Sequence, residues 1–366
     1  MFRIVFIVFH FMTMIIYQTL TSNLSTEYIT YVTVALILFY LSSLVGEKML
    51  LINGIFSTNL MAKFYTNIFY LSLIFFIFGF YQFISNFDIT NVISLNEFRN
   101  YSTQQNEGNY TLIHPMATLL LPSAIFLMIF KNFSQKRYVI IYFIFSILTL
   151  SRSRILDLIF VYLARLKKIN LKLVVPAFIV ISLVLFLGYI LGRHEDELGI
   201  LDTENEFLLV ILHLLYRLTS YHGVFHELYF TSADIAQHYP VTFWPISRFF
   251  ESLYPAEIYG PYILNVNNPF TGWIGYVTPG YLGYLFIDFG YWGALFANII
   301  LGLIFGILMS YSKLKYNYVK SVLSRFLIYD FIFFSVLEMR TTTIFFLLLT
   351  ITVFLLKSES DDHKSL

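Results

Sequence analysis

"YVIIYFIFSILTLSRSRILDLIFVYLA" occupies residues 138–164, and its reading decides the fold. Residues 138–150 are predominantly apolar and the apolar run resumes at 155, with Arg152 and Arg154 between the two. Each run is too short to cross a bilayer alone. At a rise of 1.5 Å per residue, thirteen residues cover roughly 20 Å of a hydrocarbon core about 30 Å thick. Two short helices joined at "SRSR" therefore leave the joint sunk below one membrane surface. An ionisable residue at such depth marks a functional site by default, because it is expensive to hold there. The bland alternative is that Arg154 pairs with Asp157 three residues on, along one helical face. That pairing leaves Arg152 unexplained.

The rest of the chain follows the same pattern. The sequence is 366 residues long, 58% hydrophobic, 20% aromatic and 12% charged, against about 25% charged in an ordinary soluble domain. Apolar runs near 4–20, 28–45, 65–84, 112–130, 138–150, 155–165, 173–191, 291–311, 321–337 and 341–356 predict an all-α, polytopic membrane bundle of about ten spans. Residues 1–191 form an N-terminal bundle with a short outer loop at 85–111, residues 192–290 a large extracytoplasmic loop with amphipathic helices, and residues 291–366 the last three spans and a tail. The first run is read as a retained span, since no small-residue cleavage pattern follows it. Cysteine is absent, which excludes disulfides and thiolate metal sites. A net charge of +1 gives no reason to expect nucleic acid.

Cations orient the spans. With the N-terminus inside, 16 of the 23 Lys and Arg residues fall on the inner side, including all twelve lysines. The outer cations are arginines only: Arg99, Arg152, Arg154, Arg193, Arg217, Arg248 and Arg340. Both termini come out cytoplasmic. About sixteen acids share the outer side, so these arginines create no general positive field. They read as individually placed forks able to grip phosphate or carboxylate bidentately, which lysine cannot do. Pairing with neighbouring acids, as of Arg193 with "HEDE" or Arg340 with Glu338, is the competing reading.

Within the long loop, "EFLLVILHLLYRLTS" (206–220) has helical spacing that puts Glu206, His213, Arg217 and Ser220 on one face. It predicts a helix on or dipping into the outer interface, with this stripe turned to an outward-facing cavity. In "HGVFHE", His222 and His226 have the one-turn spacing of a chelating pair. No third ligand accompanies them, so no metal is expected, and a lone histidine as base or phosphate donor is favoured. Trp244, Trp273 and Trp292 suit an interfacial belt, with sugar stacking as the alternative.

"TGWIGYVTPGYLGYLFIDFGYWGALFANIILGLIFG" (271–306) resembles the C-terminal signature of bacterial oligosaccharide repeat-unit polymerases, the Wzy-type O-antigen polymerases. In that family a long outer loop leads into a "DFGxxG"-like entry to a late span, matched here by "DFGYWG" from Asp288 to Gly293. The mid-chain "SRSR" and the "LEMRTT" between the last two spans look similar as well. Related ligases carry a histidine near this entry; "YVTPGYLG" has none, which favours polymerase over ligase. No outer arginine is followed by glycine at the Arg-x10-Gly spacing some polymerases use, so the arginine assignment rests on position.

The resemblance implies a glycosyltransferase with a GT-C-like fold at the outer face of a bacterial plasma membrane, needing no cofactor. It would transfer a growing glycan from undecaprenyl diphosphate to an incoming lipid-linked repeat unit, with a chain-length regulator as a possible partner. Under that implication Arg152 and Arg154 hold the leaving diphosphate, and Arg217 and Arg248 hold the second lipid head or the glycan. His222 is the candidate base on the acceptor hydroxyl. Arg193, Asp288 and Arg340 complete the substrate-binding set. A lipid-linked oligosaccharide flippase, an O-antigen ligase and a membrane O-acyltransferase, for which His10 would be the histidine, are the competing functions.

Overall fold

A computed structural model describes residues 2–49, 54–85, 113–131, 134–148, 152–166, 215, 219–231, 265–267, 274–276, 280–314, 317–337 and 340–357. The predicted span at 173–191 lies outside them. The described residues are helical apart from one two-stranded ribbon, and the chain divides into two compact units. Among the described residues, four helical stretches are long and apolar enough to cross a membrane: Phe2–Thr21, Thr26–Lys48, Thr58–Phe78 and Phe289–Ser312. This is a membrane protein.

The first unit comprises residues 1–51, 200–313 and 327–346. Its frame is α1 (Phe2–Thr21), α2 (Thr26–Lys48) and α8 (Gly280–Ser312). The ends of these helices are fixed by charge. Arg3 on α1 reaches Glu47 on α2 and donates to the Ser43 carbonyl at 2.9 Å, while Lys313, just past α8, meets the other Glu47 oxygen. From that end, α2 and the second half of α8 run parallel. Tyr31 pairs with Tyr291, the Asn298 amide donates to the Ala35 carbonyl at 2.6 Å, and the Ser310 hydroxyl donates to the Glu47 carbonyl at 2.7 Å. Gly302 and Gly306 form a small-xxx-small face against Ser42, Ser43 and Gly46, so close that a Cβ at either glycine would run into them. In lipid, where apolar burial between helices drives little, such backbone contact is what joins helices. Sequence assigned the two segments this same relative direction.

α8 is not one rod. Gly290 has φ +66° and ψ −172°, a conformation only glycine adopts readily. Tyr281 and Phe305 are 24 residues apart and would be about 36 Å apart on a straight helix. Yet the rings of both lie beside Phe331, at 5.8 and 5.7 Å between centroids. Residues 280–289 therefore fold back along the second half of the helix as a re-entrant arm.

A second half-helix, α7 (Tyr221–Thr231), packs inside the same unit. Its first residues meet His10 and Thr13 on α1, and its later ones, Phe225 and Tyr229, stack on Tyr28 and Tyr31. His10 lies about 16 Å along α1 from Thr21, so α7 reaches the middle of that span. Sequence placed 192–290 in a large extracytoplasmic loop with amphipathic helices; α7 and the arm of α8 are buried against α1 and α2. The physical reason is composition, since Val224, Phe225, Tyr281, Leu285 and Phe286 are all buried. The ribbon, β1 (Asn265–Asn267) antiparallel to β2 (Ile274–Tyr276), was not foreseen.

The second unit comprises residues 52–199, 314–326 and 347–366. α3 (Thr58–Ser85) packs on α4 (Ile113–Phe130), with Tyr65 stacked on Phe126 at 4.6 Å. α5 (Lys136–Leu148) and α6 (Arg152–Arg165) are the two short helices expected around "SRSR", of thirteen and fourteen residues. Tyr142 on α5 donates a short hydrogen bond to Asp157 on α6, and both are buried. The start of α9 (Tyr318–Leu337) and the end of α10 (Arg340–Leu355) close this unit. There the Lys320 ammonium donates to the Leu356 carbonyl at 2.9 Å and the Arg325 guanidinium to the Leu166 carbonyl at 2.8 Å, each satisfying a helix C-terminus.

Candidate functional site

The two units carry two different kinds of polar site. In the second, Arg152 and Arg154 fall in the first turn of α6, where sequence placed them in the joint between the two short helices. That placement is unfavourable for a cation on general grounds, because a helix N-terminus is a positive pole with four unbonded N–H groups. Asp157, two turns into the same helix, is fully buried, and Tyr142 is its partner across the hairpin. For Arg152, Arg154, Asp288 and Arg340 the structure describes the backbone: Asp288 stands two residues before the Gly290 break, and Arg340 opens α10. Arg193, Arg217 and Arg248 lie outside the described residues, as do Glu206 and His213 of the predicted polar stripe. Ser220, the last member of that stripe, is buried in the first unit.

In the first unit, the buried layer is a continuous run of hydrogen-bonding groups. His10 Nδ1 lies 2.9 Å from the Tyr221 hydroxyl, which lies 2.7 Å from Thr13 Oγ1. Thr13 Oγ1 is 3.2 Å from His222 Nε2, and His222 Nδ1 is 2.9 Å from the Tyr28 hydroxyl. One proton assignment satisfies every contact. His10 Nδ1–H and His222 Nε2–H donate, Tyr221 donates to Thr13, Thr13 donates to the Phe9 and His10 carbonyls, and Tyr28 donates to His222 Nδ1. Such a fully paired neutral network rigidifies a core and specifies one packing.

His222, the candidate base of the sequence reading, lies within this network. It is 1% exposed, and both ring nitrogens are engaged. His226, one turn on, accepts from the Ser25 amide at 3.1 Å, so the two histidines serve different partners. Among the described residues no group of three metal-ligating side chains converges. Gly223 between them is set by close approach, since a Cβ there would strike the Tyr17 hydroxyl.

Sequence reading missed Thr13, Tyr28 and Tyr221 as members of this layer. The signal for half of it was present: His10, Thr13 and Tyr17 fall at i, i+3 and i+7 of an apolar span, one face of a helix. Trp292, by contrast, is 78% exposed at the turn of α8, beside exposed Phe289 and Phe296. No family model, curated protein or solved structure matches the chain.

Proposed function

We propose that this chain polymerises lipid-diphosphate-linked oligosaccharide units at the outer face of a bacterial plasma membrane, through a bundle of about ten spans with both termini cytoplasmic and a GT-C-like arrangement. The observation that carries the reading is the short α5/α6 hairpin, whose second helix begins with Arg152 and Arg154 at its positive pole. Breaking a sugar–diphosphate bond develops negative charge on the leaving diphosphate. Preplaced arginine forks in a water-poor setting stabilise that charge without reorganising. The lysine-free outer side and the "DFGYWG" entry support the same assignment. The acceptor hydroxyl loses a proton, the glycosidic bond forms at the donor sugar, and undecaprenyl diphosphate leaves with the electron pair. No metal or cofactor is needed for that balance.

A second reading, a flippase for the same lipid-linked glycan, draws on the two half-helices α7 and residues 280–289, because broken intramembrane helices are common around transporter binding sites. Deleting the gene and resolving surface glycan by size separates the two. Polymerase function predicts loss of the ladder with single repeat units retained. Loss of every unit would favour the flippase, and an unchanged ladder would rule out both.

A further inference from the structure

The two halves of α8 are held in opposite ways. Residues 291–312 are tied to α2 by backbone contact at Gly302 and Gly306, by the Asn298 and Ser310 hydrogen bonds and by the Glu47–Lys313 ion pair. Residues 280–289 are bounded instead by two glycines with positive φ, Gly280 at +68° and Gly290 at +66°. A Cβ built on Gly290 would meet nothing within 4 Å, so the pivot is uncrowded. The arm's described ring contacts are aromatic: Tyr281 beside His10, Phe6 and Phe331, and Phe286 beside Tyr31, Phe225 and Tyr229. At the tip, the Tyr281 hydroxyl is buried with no hydrogen-bond partner. An unmade bond of this kind disfavours the packed position and is relieved when water reaches the group.

We propose that residues 280–289 are a lever, hinged at Gly280 and Gly290, which in this structure is closed over the His10, Tyr221 and His222 layer and on opening admits water to it. The fixed second half of α8 is the post, and the arm is the moving part. This device is independent of the reaction assigned above, and its test needs no glycan.

The chain has no cysteine, so single thiols report cleanly. Tyr281→Cys on the arm and Ala35→Cys on α2, fully buried beside the anchored half, are each introduced into the full-length protein in membranes and exposed to a membrane-impermeant maleimide. The lever predicts measurable labelling at Tyr281→Cys and none at Ala35→Cys. Adding Gly290→Ala should raise labelling of the arm about tenfold, since a side chain at this φ disfavours the closed form, and should leave Ala35→Cys unlabelled. Equal, negligible labelling at both positions, unmoved by Gly290→Ala, overturns the proposal. So does a parallel rise at both, which is general loosening. If Tyr281→Cys does not yield folded protein, Leu282→Cys, buried on the same arm, is read in its place with the same expectations.

Discussion

The layer at His10 and the hairpin at Arg152 both put polar side chains into apolar sequence, and they resolve the cost in opposite ways. Around His10, five groups on α1, α2 and α7 are neutral and satisfy one another. Nothing from outside is required, and the result is a specified packing. At the start of α6, two arginines sit at the positive pole of a helix, where the backbone adds charge of the same sign. Under the proposed function, that end holds the leaving diphosphate. The contrast is between polar groups that find their partners within the fold and cations that open a helix whose backbone adds charge of their own sign.

Replacing Arg152 with lysine strikes the contrast hardest. Lysine keeps the charge but loses the bidentate fork. Loss of one such transition-state donor is worth about 2.7–4 kcal/mol, or about 10²–10³ in rate. Membrane levels should hold while glycan collapses to single units; a full-length ladder from Arg152→Lys would return this arginine to a structural role.

Gly302→Val tests the scaffold beneath the polar layer. Its side chain would be driven into Ser42 and the Phe39 carbonyl, and overpacking of this kind costs about 1–3 kcal/mol or more. The expected readout is a lower melting temperature in detergent, with Gly302→Ala milder. Equal stability of all three would mean that α2 and α8 do not rely on this approach.

A gentler cut falls on His222. Phenylalanine there strands the Tyr28 hydroxyl, at the roughly 1–3 kcal/mol of an unmade buried hydrogen bond, while Thr13 keeps Tyr221 and the Phe9 and His10 carbonyls. Because the imidazole is closed off, His222→Phe should lower stability yet keep chain growth in the folded fraction. Wild-type stability with chain growth abolished would restore the role of general base.

The smallest expected effect is a pH slope. Lys320 lies one residue before the predicted span at 321–337, and burial pulls its ammonium down to about 8, from about 10.4 in an unfolded chain. Between those values the unfolded state binds the extra proton, so stability should rise with pH across the window and fall away as pH drops through 8. Thermal unfolding from pH 7.5 to 10 should show that rise, and Lys320→Met should flatten it. A slope that survives the substitution would belong to another group.

Much of the helical layout was legible in sequence. Helix bounds fall within a few residues of the predicted runs at 4–20, 28–45, 138–150, 155–165, 321–337 and 341–356, because a run of apolar residues in lipid has no alternative but to pair its backbone internally. Arg152, Arg154 and His222 were visible as candidates for the same reason, each being a polar residue in or against apolar sequence. What was not legible was partnership. Nothing in "YHGVFHE" says that Tyr221 would meet His10, some 211 residues away. Nothing in "DFGYWG" distinguishes a glycine inside a span from one that reverses it.

The sequence by itself determined that this chain lives in a membrane and where most of its apolar helices run. Those are consequences of local composition acting against a solvent that cannot hydrogen-bond. Only the tertiary structure decided that α8 folds back at Gly290, that α7 enters the bundle, and that His222 faces Thr13 and Tyr28 rather than solvent. These depend on which surfaces meet. A glycine's φ and a histidine's partners are set by neighbours far along the chain, not by the residues beside them.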